Sequence, residues 1–193
     1  MGKVVGVFGG SFNPLHEGHL GVGRHVLQSG LVDEVWFMPC RRNPLKEDSP
    51  EFSADSRIGM IEKALKAENE KLSSGMPENL SPLKVTDIEL RLPEPSYSWL
   101  TLKTLSAENP GVEFKLIMGA DSYRNFSRWV KADWIRDNYP LIVYPRPGFP
   151  TDFPPHKNIT VIDTDDLYDV SSTDIRKKIN AGSDIPEYHW LEQ

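Results

Sequence analysis

Cysteine is almost missing from this chain. Cys40 is the only one in 193 residues, so no intrachain disulfide can form and a reducing, cytoplasmic setting is expected. No apolar run approaches the ~20 residues that would span a bilayer, so no membrane partner is expected. The N-terminal Met1-Gly2-Lys3 leads straight into Val4-Val5-Gly6-Val7-Phe8, without a secretory h-region or the Ser or Thr of a myristoylation signal. Positive charge is also in deficit: 22 Lys and Arg against 28 Asp and Glu leave −6, which repels a nucleic-acid backbone and argues against DNA or RNA as a partner. Internal repeats and low-complexity tracts are missing too. With 38% hydrophobic and 26% charged residues, the composition is that of a globular protein rather than a disordered one. At ~150 residues per domain, one domain is expected over 1–193, with a short helical part around 172–193.

What is present alternates. Short runs rich in Val, Ile and Phe at Val4–Phe8, Val35–Met38, Phe114–Met118, Leu141–Tyr144 and Ile159–Ile162 read as buried strands, with a more exposed one at Leu83–Leu90. Between them, helices are expected at Gly18–Ser29, Ala54–Glu68 (capped by Ser53, with Ile58, Ile61 and Leu65 on one face), Tyr97–Glu108, Ser122–Asn138 and Thr173–Ala181. Residues 70–82 and 146–158, rich in proline, read as surface loops. Strands that alternate with helices need crossover connections, so the fold class is α/β. The expected architecture is a doubly wound, Rossmann-like, mostly parallel sheet with helices on both faces.

The first strand ends in Gly9-Gly10-Ser11-Phe12-Asn13-Pro14-Leu15-His16-Glu17-Gly18-His19, at the strand-to-helix turn where α/β sheets bind ligands. Gly9 and Gly10 allow main-chain N–H groups to approach a phosphate. The stretch lacks the Gly-Lys-Ser/Thr of a Walker loop and the three glycines of a dinucleotide fingerprint. His16 and His19, three apart, fall on one side of the starting helix with Gly18 clearing the space between them, an arrangement suited to a polyphosphate. Two further readings stand beside it: a turn with two packed or solvated histidines, and a metal pair joined by Cys40. The spacing is one residue short of the HExxH zinc motif.

Gly9–His19 resembles the signature of the nucleotidyltransferases that carry a His-x-Gly-His motif. Ser171-Ser172-Thr173-Asp174-Ile175-Arg176, Gly119-Ala120-Asp121-Ser122 followed by Trp129, and Pro95-Ser96-Tyr97-Ser98 with Thr101-Leu102 are similar, in order, to blocks of the bacterial nicotinate-nucleotide adenylyltransferases. The resemblance implies AMP transfer from ATP to nicotinate mononucleotide, giving deamido-NAD and pyrophosphate. It implies His16, His19 and Arg176 as catalytic donors to the oxygens that gain charge. ATP would be held by Gly9, Gly10, Ser11, Phe12, Lys46, Gly119, Asp121, Ser171, Ser172 and Thr173, with Ser172 and Thr173 capping the last helix towards the β- and γ-phosphates. Ser98, Trp129, Val130 and Arg146 would bind the mononucleotide, Trp129 stacking on its pyridine ring. Arg41 and Arg42 are adjacent basic candidates to Lys46. Mg2+ is the implied cofactor, carried by ATP phosphates and water, with no protein metal ligand expected.

The chain departs from that family at Asn13, where Asp is frequent, at Ser98 for Thr, at Leu100 for Asp and at Leu45 for the loop His, and its tail after Gly182 is shorter. Two alternatives stay open. One is a relative that uses another phosphorylated acceptor, such as nicotinamide mononucleotide or pantetheine phosphate; the other is a non-catalytic nucleotide-binding module. The sequence leaves monomer and homo-oligomer equally open.

Overall fold

The computed structural model describes residues 2–41, 52–72 and 82–183. Strands β1 (Lys3–Gly10), β2 (Glu34–Pro39), β3 (Leu83–Val85), β4 (Val112–Gly119), β5 (Leu141–Tyr144) and β6 (Ile159–Val161) form one sheet in the order β3-β2-β1-β4-β5-β6. Every pairing is parallel, as the alternating pattern requires. Helices α1 (Glu17–Gln28), α2 (Ala54–Leu72), α3 (Ile88–Arg91), α4 (Ser98–Glu108), α5 (Ala120–Arg124), α6 (Ala132–Asn138) and α7 (Ser172–Asn180) make the crossovers. The chain order reverses at β1, which has β2 on one side and β4 on the other. A crevice opens beyond the carboxyl ends of these strands, where such sheets bind ligands.

Alternation along β1 divides the core in two. Val5 and Val7 pack with Leu102, Leu105, Phe126 and Ile135 on one face, while Phe8 packs with Val22, Val26, Ile61 and Ile175 on the other. Both sheet faces are thereby covered, and a strand buried on both sides reads as an unbroken apolar run.

Four expectations need correction. The stretch Leu83–Leu90 is a strand only to Val85, because Ile88 is drawn under the sheet as the first residue of α3 and is fully buried there. The helix expected over Ser122–Asn138 is three pieces: α5, a 3₁₀ turn at Phe126–Arg128, and α6. The breaks let Phe126 and Ile135 both enter the core, and they leave Trp129 and Val130 in non-helical backbone at the crevice. α2 continues to Leu72, and its buried face carries Arg57 beside Ile61, Ala64 and Leu65, with Ile58 only half-buried. α7 begins at Ser172 with Ser171 as its N-cap: the Asp174 N–H donates to Ser171 Oγ at 3.2 Å. Capping by Ser172 and Thr173 is therefore replaced by capping one residue earlier.

Candidate active site

The turn after β1 is built differently from the glycine-based expectation. Gly9 and Gly10 remain in the strand, and Gly10 C=O accepts the Cys40 N–H at 2.9 Å. The left-handed residue is Phe12, at φ 43. Its ring is buried, edge-on to Phe8 and to His19 with centroids 5.5 and 4.9 Å apart. Of Phe12, then, only the backbone is available to a nucleotide, while the ring braces His19.

His16 is the N-cap of α1, and His19 follows at its third position. The His16 N–H donates to His19 Nδ1 at 3.2 Å, so a neutral His19 carries its proton on Nε2 and can donate from that atom. The two rings stack at 3.7 Å between centroids. Gly18 makes this possible, since a Cβ there would sit 3.1 Å from His16 Nδ1 and 3.0 Å from Val170 Cγ1. His19 lines the crevice, whereas His16 lies behind it, 2% exposed. Burial, reinforced by Arg146, lowers the His16 pKa to about 3, so at neutral pH this ring is an uncharged dipole.

The helix bearing the second motif is tied directly onto this turn. Ser172 Oγ donates to Pro14 C=O at 3.0 Å, and Arg176 donates to Asn13 C=O at 2.6 Å and to Thr173 Oγ1 at 3.3 Å. Ser171, Ser172, Thr173 and Arg176 stand beside the His turn rather than in the wall of the crevice. The segment leading to α7 is clipped to α1. Tyr144 OH donates to Asp166 C=O at 2.6 Å and accepts from His25 Nδ1 at 2.8 Å, and burial pushes its phenol up to about 12. Tyr168 lies against Gly21, where any Cβ would meet its ring at 2.1 Å.

The crevice itself encloses about 310 Å³. Gly9, Gly10, Ser11 and His19 line it together with Gly119, Asp121 and Arg146, and so do Ser98 and the Trp129–Val130 pair. A Cβ at Gly119 would lie 2.3 Å from Asp121 Oδ1 and 3.2 Å from Arg146 Cδ, so both side chains would have to shift to admit one. Trp129 is half-buried, tilted against Phe126 at 5.5 Å. Lys46 and Arg42 lie outside the described residues. Arg41 donates to Leu90 C=O and pairs with Glu94 at 3.5 Å.

Three residues escaped the sequence reading. Glu89 is buried in the crevice wall and accepts from Thr101 Oγ1 at 3.0 Å, and burial raises its carboxyl pKa. Arg128 lines the crevice beside Trp129. Arg57, 1% exposed, donates to Ser11 and Cys40 carbonyls, both at 2.7 Å, and to Phe52 C=O at 3.2 Å. It thereby fastens the turn after β1 to the end of β2. A charged residue on the apolar stripe of α2 was the available signal, because a buried guanidinium must find acceptors.

A parallel α/β sheet with paired histidines at the start of the helix after β1, and a second helix docked on the turn between them, is the arrangement of a nucleotidyltransferase, and the cytidylyltransferase-like family matches residues 7–178. A protein of Bacteroides fragilis described as a probable nicotinate-nucleotide adenylyltransferase is 37% identical over 94% of this chain and 84% of its own length. Another so described, from Flavobacterium johnsoniae, is 33% identical over 94% of this chain and 89% of its own length. The chain belongs to the nicotinate-nucleotide adenylyltransferase family. The fold agrees with that of the Plasmodium falciparum nicotinic acid mononucleotide adenylyltransferase complexed with APC, at a TM-score of 0.74 and 21% identity, over 97% of this chain and 89% of the other. No helix among the described residues is long and apolar enough to cross a membrane.

Proposed function

We propose that the chain transfers AMP from ATP to nicotinate mononucleotide in this crevice, with His19 as its central donor. A mononucleotide phosphate oxygen attacks the α-phosphorus of ATP in line; the bond from that phosphorus to the bridging oxygen breaks, and pyrophosphate leaves with deamido-NAD as the other product. No protein nucleophile is consumed, so the chain contributes positioning, worth up to ~7–11 kcal/mol in favourable cases, and stabilisation of charge. The observation that carries this reading is His19: its Nδ1 accepts the His16 N–H, so the neutral ring's proton is on Nε2, and the residue lines the crevice. Behind it, neutral His16 stacks and fixes the ring.

Gly9, Gly10 and Ser11 would face the phosphates. Arg176 and the start of α7, docked on Asn13 and Pro14, would hold the β- and γ-phosphates. Mg2+ would enter with ATP and neutralise phosphate charge; the oxygen donors of Ser11, Asp121 and Ser122 in the wall are of the hard type it takes. Gly119, Asp121 and Arg146 would meet the nucleotide between the two substrates. Trp129 would stack on the pyridine ring, and the Val130 N–H would favour a ring carboxylate over an amide, which presents its own N–H groups. A cytoplasmic location fits the single, buried Cys40.

Pyrophosphate release followed with ATP, Mg2+ and a panel of acceptors tests this. Nicotinate mononucleotide should give the highest kcat/KM, above nicotinamide mononucleotide and pantetheine phosphate, and Trp129→Ala should raise the KM of the mononucleotide. Equal values for acid and amide would remove the Val130 role, and a preference for pantetheine phosphate would overturn the acceptor.

A further inference from the structure

Two residues that each follow a lining residue of the acceptor side in sequence touch each other. Ser98 lines the crevice from the first turn of α4, and the next residue is Trp99; Val130 lines it from the segment before α6, and the next residue is Lys131. Lys131 Nζ lies 3.4 Å from the centroid of the Trp99 ring. We propose that Lys131 and Trp99 form a clasp that holds the two walls of the acceptor pocket at their working separation, which makes both of them positioning residues. This rests on the reading of Ser98, Trp129 and Val130 as the mononucleotide pocket.

The backbone supports the assignment. Lys131 is left-handed, at φ 59, a conformation that a lysine adopts at a cost and that persists where the surroundings impose it. It occupies the N-cap position of α6, where its donor-only ammonium cannot accept a backbone N–H. Among the described residues it takes part in no ion pair, and its ammonium goes to the indole face, the strongest aromatic acceptor for a cation. Trp99 is backed in turn. Trp134 of α6 meets it edge-on at 6.4 Å, Tyr139 meets Trp134 at 5.9 Å, and Tyr139 OH bonds Ser106 Oγ of α4 at 2.9 Å. The far ends of α4 and α6 are thus already fastened. The clasp fastens their N-terminal ends, next to the lining residues Ser98 and Val130.

The test uses the full chain with Lys131→Gly, Lys131→Met and Lys131→Arg, each compared with wild type in steady-state kinetics and thermal unfolding. Glycine suits the left-handed backbone, so Lys131→Gly should leave Tm unchanged or raised while the KM for nicotinate mononucleotide rises about two- to five-fold. The KM for ATP and kcat at saturating acceptor should stay at their wild-type values. Lys131→Met should raise the same KM, and Lys131→Arg, which keeps a cation over the ring, should restore it. An acceptor KM unmoved in Lys131→Gly and Lys131→Met overturns the clasp, as does an equal rise for ATP and acceptor. Wild type that fails to adenylylate nicotinate mononucleotide overturns the pocket assignment itself, and the clasp with it.

Discussion

Acid should destabilise this protein through His16. The unfolded chain titrates this imidazole near 6.5, whereas the folded chain keeps it neutral down to about 3. Between those values the unfolded state binds a proton that the folded state refuses. Stability from this residue is therefore complete above pH 6.5 and is lost as the pH falls towards 3. The slope is about 1.4 kcal/mol per pH unit, and the whole window corresponds to about 5 kcal/mol. Going from pH 7 to pH 5 spends about 2 kcal/mol of it, a large part of the ~5–15 kcal/mol that holds a domain folded. Urea unfolding at pH 7, 6 and 5, followed by tryptophan fluorescence, gives the wild-type loss. The same series on His16→Asn, which does not titrate, isolates the histidine from every carboxylate that changes in parallel, including Glu89, whose raised pKa acts in the opposite sense. The variant should be less stable at pH 7 and should lose about 2 kcal/mol less between pH 7 and 5. Identical pH slopes for the two proteins would refute the assignment of a neutral, buried His16.

His19→Ala should lower kcat by ~10²–10³ with the fold retained, the usual effect of deleting one donor to a developing oxyanion; a folded variant within a few fold of wild type would remove its role. Arg176→Ala should raise the KM for ATP by about ten-fold or more, from a charge-assisted bond of ~1.5–3 kcal/mol, with acceptor binding little changed. Isothermal titration with each substrate separates these outcomes, and weakened mononucleotide binding alone would reverse the subsites. Gly119→Ala should push Asp121 and Arg146 out of register and lower kcat/KM about ten- to a hundred-fold while Tm moves little, because both displaced side chains are partly exposed; unchanged kinetics would show that neither side chain meets a substrate.

The strands were legible because a strand buried on both faces must be apolar throughout, and Val4–Phe8 and Leu141–Tyr144 are. The two motifs were legible because each is continuous in the chain. Their meeting was not: the Ser172–Pro14 and Arg176–Asn13 bonds join residues more than a hundred positions apart, and nothing in either segment names its partner. The break between α5 and α6 was hidden for another reason. Residues 122–138 contain no proline or glycine to mark it, and the helix gives way because Phe126 and Ile135 compete for core positions that one straight helix cannot supply. Arg57 was readable in principle, since a cation at helical spacing from Ile61 and Ala64 has to be satisfied inside, but its acceptors are carbonyls and carbonyls leave no trace in a sequence.

Those carbonyls also bear on how an acidic protein receives polyanionic substrates. The chain carries −6 overall, so the long-range field opposes ATP, and attraction has to come from charges placed where water and salt screen them least. Arg128 and Arg146 reach the crevice wall, and Arg176 touches the turn after β1. Arg57 lies under the same turn, held by Ser11, Cys40 and Phe52 carbonyls, and takes part in no ion pair among the described residues. Among the described residues its hydrogen-bond partners are neutral carbonyls; burial works against its charged form, but a guanidinium remains protonated near neutral pH, and its charge acts there at reduced dielectric. On the acidic side, burial raises the pKa of Glu89 in the crevice wall, a shift in the direction that weakens its repulsion of an anion. Attraction of a polyanion to this crevice therefore depends on where Arg57, Arg128, Arg146 and Arg176 stand relative to Asp121 and Glu89, and the sign of the whole chain does not determine it.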